Sequence, residues 1–98
     1  MRIAVALNPD SDLAHHQLGT VLFQQGELRA AEKEFREALR VNASADNHYS
    51  LAACLMSLDR YPEALAEIEA AAKLDPERGL YRARREELLK MMKDTNSR

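Results

Sequence analysis

The sequence has little of what marks secreted, membrane-bound or loop-rich proteins: it contains one cysteine, no tryptophan, three glycines and three prolines. Its single cysteine, Cys54, excludes an internal disulfide and is typical of a reducing compartment, so we predict a buried thiol and a cytoplasmic location. No stretch approaches the roughly 18 consecutive apolar residues of a membrane helix. The apolar stretch at residues 1–7 is also too short for the core of a signal peptide, so we expect no membrane partner.

The sequence also lacks a strong net charge. A formal charge of −2 is too small to attract a polyanion, so we expect no nucleic-acid partner. The charge is unevenly distributed, with seven basic and thirteen acidic residues in 1–77 against seven basic and three acidic residues in 78–98. We interpret the basic end as the solvated face of a final helix; a basic docking face is the alternative.

Scarce glycine and proline, together with abundant alanine, leucine, glutamate and arginine, predict an all-α fold. Apolar spacing and capping residues predict helices at 11–25, 27–40, 45–58, 62–74 and 77–93. In the fourth helix the pattern predicts that Leu74 points inward. In the second helix it predicts that Glu32 and Glu34 point to solvent.

One helical pattern occurs twice in the sequence, and the second copy follows the first after 33 residues. Leu18, Leu22, Ala31, Phe35 and Ala38 recur as Leu51, Leu55, Ala64, Ile68 and Ala71. Internal repeats of this length are typical of stacked helical hairpins. Gly19 and Ala31 are small enough to let the two helices of a hairpin approach closely, with Phe35 beside them.

These positions resemble the tetratricopeptide repeat (TPR), whose unit reads W-x2-L-G-x2-Y, then A-x3-F, then P. The first copy carries Leu18-Gly19-x-x-Leu22, Ala31 and Phe35, and the second copy ends in Leu74-Asp75-Pro76. The sequence departs from the family pattern at six positions: His15 and His48 replace tryptophan, Leu22 and Leu55 replace tyrosine, Ala52 replaces glycine and Ala43 replaces proline.

The resemblance implies antiparallel helix–turn–helix repeats stacked as a right-handed α-solenoid, with five helices and a short N-terminal helical remnant. We expect one domain over 1–98: the end of a preceding repeat at 1–8, repeats at 11–43 and 44–76, a capping helix at 77–93 and a frayed tail at 94–98. Arg84 and Arg85 stand where a following helix would have to pack closely, so we expect the stack to end there. The pattern at 1–8 favours a chain cut from a longer protein over a naturally abbreviated repeat.

No catalytic pattern is present. His15, His16 and His48 are the only imidazoles, and neighbouring histidines on a helix point about 100° apart, so they suit packing better than a shared metal. Phosphate-binding glycine loops, serine elbows and cysteine pairs are lacking. We therefore predict a protein that is not an enzyme and that needs neither cofactor nor metal.

Function is instead implied by the resemblance, because the first helix of each family repeat lines a groove that holds a partner segment. The groove residues carried over to this sequence are Leu13, His16, Gln17, Thr20, Phe23, Gln24, Tyr49, Ser50, Ala53, Met56, Ser57, Arg82, Glu86 and Leu89. Phe23, Met56 and Leu89 would form an apolar stripe beside a row of hydrogen-bonding tips at His16, Tyr49 and Arg82.

This groove predicts a protein-interaction module that binds a peptide or a partner helix. The clamp that some family members use for a terminal carboxylate is not expected, because Thr20, Ser50 and Ala53 do not supply its side chains. Two alternatives remain open: a structural segment of a larger array that associates weakly with itself through exposed terminal helix faces, and an accessory domain of a larger protein.

Overall fold

The structure, a computed structural model, describes residues 11–96, and these residues form five helices. The helices are α1 (Asp12–Gln24), α2 (Leu28–Val41), α3 (Ala45–Ser57), α4 (Tyr61–Leu74) and α5 (Gly79–Asn96). Sequential helices pack side by side, most extensively α1 with α2 and α3 with α4, which confirms the predicted all-α repeat architecture. The handedness of the stack stays a prediction, and the predicted remnant at 1–8 lies outside the described residues.

The helix boundaries follow from capping chemistry. The Ser11 hydroxyl accepts a hydrogen bond from the Ala14 backbone N–H at 3.1 Å, and the Ser44 hydroxyl accepts one from the Asn47 N–H at 3.2 Å. Each serine thereby satisfies one of the free N–H groups that begin α1 and α3. Both helices then turn through a left-handed residue at the same repeat position, Gly26 with φ 81° and Asp59 with φ 60°.

Helix α5 differs from its prediction at both ends. It begins at Gly79 rather than 77, because the chain first turns, with the Arg78 N–H donating to the Asp75 carbonyl at 3.3 Å. It continues to Asn96, three residues past its predicted end, although Asp94, Thr95 and Asn96 are not strong helix formers. Of the predicted frayed tail, 94–96 are therefore helical, and 97–98 lie outside the described residues.

Small residues bring the helix pairs together, as predicted. Ala31, Ala38, Ala64 and Ala71 are buried, and so is Gly19, against which the Phe35 ring packs directly. The larger core side chains come mostly from α3, α4 and α5. Those that are fully buried are Leu51, Leu55, Ile68, Tyr81 and Leu88.

The outward-facing stripe of α4 includes a residue that we predicted to be buried. Leu74 is 56% exposed, so that prediction is wrong. At about 100° per residue, Leu74 lies some 120° around the helix from the buried Ile68. Its hydrophobic character was therefore a poor guide to its orientation at the end of the helix.

Helix α1 is less deeply buried than its repeat equivalent α3. Leu51 and Leu55 are fully buried because α2 packs on one side of α3 and α4 on the other. Leu18 and Leu22, at the equivalent positions of α1, are only half-buried. Among the described residues, no helix covers the side of α1 that corresponds to the α2 side of α3.

The Cys54 thiol is buried, as predicted, and it donates a hydrogen bond to the Leu28 carbonyl oxygen at 3.1 Å. Burial raises its pKa above the ordinary thiol value, which disfavours the reactive thiolate. We expect a soluble disulfide reagent to modify native Cys54 at least about a hundredfold more slowly than the unfolded chain. Stopped-flow absorbance with and without concentrated denaturant measures the ratio, and equal rates would contradict a closed native site.

Candidate functional site

Helices α1, α3 and α5 leave an apolar depression between them, which we call the groove. It consists of two adjoining pockets, of about 140 Å³ and about 210 Å³. Phe23 from α1 and Tyr49 and Ala53 from α3 line both pockets. Thr20, Phe35 and Ser50 complete the first pocket, and Met56, Ser57, Arg84 and Glu87 complete the second.

Seven of the fourteen residues that the resemblance assigns to a groove line these pockets: Thr20, Phe23, Tyr49, Ser50, Ala53, Met56 and Ser57. Leu13, Gln17 and Gln24 are exposed on α1 outside both pockets, and His16 is half-buried beside the first. The structure therefore brings together the centre of the predicted surface and leaves its α1 edge in solvent.

Helix α5 contributes different residues from those we predicted. Arg82, Glu86 and Leu89 are exposed and line neither pocket, whereas Arg84 and Glu87 line the second pocket. The repeat positions equivalent to Arg84 are Leu18 and Leu51, which the resemblance does not assign to the groove. No described helix follows α5, so Arg84 stays half-exposed and reaches back toward α3.

Arg84 fixes the α5 end of the groove through two hydrogen bonds. Its Nε donates to the Tyr49 hydroxyl at 3.1 Å, and its Nη1 donates to Glu87 Oε1, also at 3.1 Å. The Tyr49 ring also packs at a tilt on the buried Tyr81 ring, with centroids 5.5 Å apart. These contacts hold Tyr49 as a rigid wall that both pockets share.

The polar tips at the α1 side of the groove are also paired within the chain. His16 Nε2 shares a 2.6 Å hydrogen bond with the Ser50 hydroxyl, and its ring packs against Phe35 with centroids 5.6 Å apart. The Thr20 hydroxyl donates to the His16 carbonyl oxygen at 2.9 Å. His16 therefore joins α1 to α3, a structural role that the sequence pattern did not indicate.

A buried asparagine sets the spacing of the groove helices. Asn47 is 3% exposed, and its side-chain amide donates to the Asn42 carbonyl at 2.9 Å, the Asp12 carboxylate at 3.3 Å and the Ala38 carbonyl at 3.4 Å. It thereby connects the start of α1, the end of α2 and the start of α3. We did not predict this role, because the equivalent residue in the first repeat is Ala14.

Each repeat carries a histidine–glutamate pair between its two helices. His15 Nδ1 lies 2.8 Å from Glu34 Oε1, and His48 Nδ1 lies 2.6 Å from Glu67 Oε1. An ionised carboxylate only accepts, so Nδ1 of each ring carries the proton. The prediction that these histidines pack at the core edge is confirmed. The prediction that Glu34 points to solvent is wrong, since its side chain is 18% exposed. In both repeats the glutamate follows the histidine by 19 residues, and this shared separation was the sequence signal for the pairs.

Glu32 corrects a second outward prediction. Its carboxylate, whose side chain is 14% exposed, accepts from Arg60 Nη1 at 2.8 Å and from Arg36 Nε at 3.0 Å. Arg60 also donates twice to Glu63, at 2.7 and 2.8 Å. Burial opposes ionisation of Glu32, but the two arginines outweigh it, so its pKa lies below the ordinary glutamate value.

This cluster predicts a loss of stability in acid. Because the folded pKa of Glu32 is lowered, its contribution is complete above the ordinary value of 4.5 and is lost as the pH falls through the folded pKa. We expect Glu32→Gln to cost about 1 kcal/mol at neutral pH and to match the wild type in strong acid. Urea titrations across this pH range test it. Glu37→Gln, a control on the same helix that loses only a surface ion pair with Arg40, should change stability little. A Glu32→Gln deficit that persists in acid would contradict the assignment.

The described residues contain no group of three histidine, cysteine, aspartate or glutamate side chains that could hold a metal ion. Within the same part of the chain, no helix is both long and apolar enough to cross a membrane.

Comparison with solved structures finds the same arrangement of helices. TTC0263, a thermophilic TPR protein of Thermus thermophilus, is 29% identical with a TM-score of 0.81, over 87% of this chain and 44% of that one. Two structures of MamA are 26% identical with a TM-score of 0.73, over 91% of this chain and 58% or 55% of theirs. The chain thus spans about half the length of these proteins. Among curated proteins, no relative matches the sequence.

The repeat itself is also recognised at the level of sequence. A tetratricopeptide repeat family matches residues 16–78, which is more than half of the 98 residues. This family is generally a protein–protein interaction module and is usually not catalytic. With the repeat matched over that length and the paired helices packed as such repeats require, the chain belongs to the tetratricopeptide repeat family.

Proposed function

We propose that this chain is a non-catalytic interaction module that holds a peptide or a helix of a partner protein in the groove. The observation that carries the proposal is the pair of adjoining pockets lined by Phe23, Tyr49 and Ala53. A concave apolar surface with a rigid aromatic wall is what a short partner segment needs for anchoring side chains. The domain limits remain part of the proposal, with repeats at 11–43 and 44–76.

The working surface in this proposal centres on the pockets. Exposed residues around them, including Leu13, Gln17 and Gln24 on α1 and Arg82, Glu86 and Leu89 on α5, form its rim. Rim residues generally contribute less to affinity than residues at the buried centre of an interface. Mutations that test the proposal should therefore change the centre without breaking contacts that hold the helices together.

Ala53→Glu is such a change, because Ala53 lines both pockets and makes no hydrogen bond through its side chain. A bound partner would bury the new carboxylate against apolar groups, which is unfavourable without a pairing charge. We expect the dissociation constant of a partner captured by the wild type to rise at least about tenfold, or about 1.4 kcal/mol. Isothermal titration calorimetry gives this value.

Ala66→Glu is the matched control, since Ala66 is exposed on α4 and lines neither pocket. Circular dichroism should show equal helix content in both variants. Replacing His16 or Tyr49 would be less informative, because both also join helices within the chain. Partners retained equally by the wild type and by Ala53→Glu would refute the groove as the binding surface.

A second candidate function is supported by the incomplete burial of α1. Its side chains Leu18 and Leu22 are half-buried where the equivalent residues of α3 are covered. Such a face suits a neighbouring repeat, either in a longer array or in a second copy of the chain. Sedimentation velocity over a range of concentrations tests the second case: association that grows with concentration and survives high salt supports it, and a monomer throughout contradicts association between copies.

The same face is compatible with an accessory domain of a larger protein. The structures that this chain resembles are about twice as long as the region it covers in them. In that case the groove would bring a partner protein to the other domains of the larger protein.

A further inference from the structure

The walls that α1 and α3 contribute to the groove carry no charged side chain. From Leu13 to the end of α1, and from Asn47 to the end of α3, the sequence contains no aspartate, glutamate, lysine or arginine. The charges of the repeats instead lie on α2 and α4, in the turns between helices, and at the starts of α1 and α3. The two acids at those starts are themselves bonded, Asp12 to Asn42 and Asn47, and Asp46 to Arg78 and Tyr81.

Four polar side chains of the groove region, those of His16, Thr20, Tyr49 and Ser50, have hydrogen-bond partners within the chain. His16 is bonded to Ser50, Thr20 to the His16 carbonyl, and Tyr49 to Arg84. A polar group of an incoming segment would have to compete with these bonds to pair with the side chains of His16, Thr20, Tyr49 or Ser50. Buried polar groups without hydrogen bonds are unfavourable, and buried charges without partners are more so.

The two charged residues that line the second pocket balance each other. Arg84 and Glu87 both line the second pocket, and they bind each other at 3.1 Å. Neither an acidic nor a basic residue of a partner gains an unpaired opposite charge there without breaking this ion pair. The edge therefore does not select for a charge of either sign.

The sizes of the pockets indicate what they accept. At about 140 and 210 Å³, each is smaller than the roughly 300–1,000 Å³ of sites that enclose a whole small molecule. Because Phe23, Tyr49 and Ala53 are common to both, the pockets are adjacent. They suit two side chains that are close together on one segment.

We infer that the occupant of the groove is an uncharged segment of a partner protein that inserts two neighbouring apolar side chains into these pockets. This inference rests on the proposed function and narrows it, since it requires that no aspartate, glutamate, lysine or arginine of the segment contacts the groove. A charged residue of the segment would meet no opposite charge on the walls that α1 and α3 contribute. Affinity then comes from apolar burial and depends little on salt.

Selection from a random peptide library displayed on phage tests this inference with a defined probe. The full chain is the target, and enriched peptides are synthesised, labelled and measured by fluorescence anisotropy. We expect a shared pair of apolar positions without a charged residue at or between them. The dissociation constant should change less than about twofold between low and high sodium chloride, and aspartate or lysine at either apolar position should raise it at least about tenfold.

The two groove variants separate the failure of this inference from that of the proposed function. One contrary outcome is a set of enriched peptides that require a charged residue at the shared positions or lose affinity steeply with salt. If Ala53→Glu abolishes the binding of such peptides and Ala66→Glu does not, the inference is overturned and the groove function stands. Binding that Ala53→Glu leaves intact, or a selection that enriches no peptide, overturns both. Charge-free peptides lost only with Ala53→Glu support both.

Discussion

Phe35→Ala is expected to lower the free energy of unfolding by about 3–5 kcal/mol, the range for truncating a buried aromatic side chain. Phe35 is 3% exposed, packs against Gly19 and the His16 ring, and forms part of the first pocket. A domain of this size is typically stable by only about 5–15 kcal/mol, so the variant should lose a large part of its stability. Urea denaturation followed by circular dichroism gives the difference.

The control for this prediction is Leu74→Ala, which removes a comparable apolar side chain from the surface. Leu74 is 56% exposed, so its truncation should change stability by less than about 0.5 kcal/mol. A cost below about 1 kcal/mol for Phe35→Ala would mean that the α1–α2 contact contributes far less than its burial indicates.

Gly19→Ala is expected to destabilise the protein by about 1–3 kcal/mol, because the added methyl group overpacks the same contact. A β-carbon at Gly19 would lie 2.7 Å from Cε1 and 2.8 Å from Cδ1 of Phe35, and the ring is held in the core. Gly79→Ala is the matched control, since a β-carbon there meets nothing within 4 Å. Thermal and urea denaturation of both variants should show a loss only at Gly19.

The second repeat suggests how this clash could be relieved. Its residue equivalent to Gly19 is Ala52, and its residue equivalent to Phe35 is Ile68; both are fully buried. In the second repeat the smaller isoleucine side chain thus leaves room for the β-carbon of the alanine. In a Phe35→Ile background, Gly19→Ala should therefore cost less than in the wild type, with a coupling energy of about 0.5–3 kcal/mol. Equal costs in the two backgrounds would show that the ring does not cause the loss.

These two predictions also connect the fold to the proposed function. Phe35 is both a core residue and a lining residue of the first pocket, and His16 and Tyr49 are held by bonds that also join the helices. The contacts that shape the groove are therefore also contacts that hold the helices together. A pocket that is formed before its partner arrives loses less conformational entropy on binding.

The extent to which the site could be predicted differs between its centre and its edges. Phe23, Tyr49 and Ala53 were placed by the repeat pattern, and they line the pockets because α1 and α3 are true repeat equivalents. The α5 residues were placed by the same rule, but Arg84 and Glu87 line the pocket instead of Arg82 and Glu86. Among the described residues no helix follows α5, and the long Arg84 side chain reaches back to Tyr49 on α3.

What the sequence by itself determined is one-dimensional: the number and approximate limits of the described helices, the small residues at their contacts and the repeat that relates them. These features depend on the spacing of residues along one helix or on the 33-residue step between repeats. Spacing and step can both be read from the order of the residues. The tertiary structure alone decided which side chains meet across helices, such as His15 with Glu34, Glu32 with Arg60 and Arg84 with Tyr49. Those contacts depend on helix rotation, crossing distance and rotamer, which the chain adopts only when the helices pack against each other.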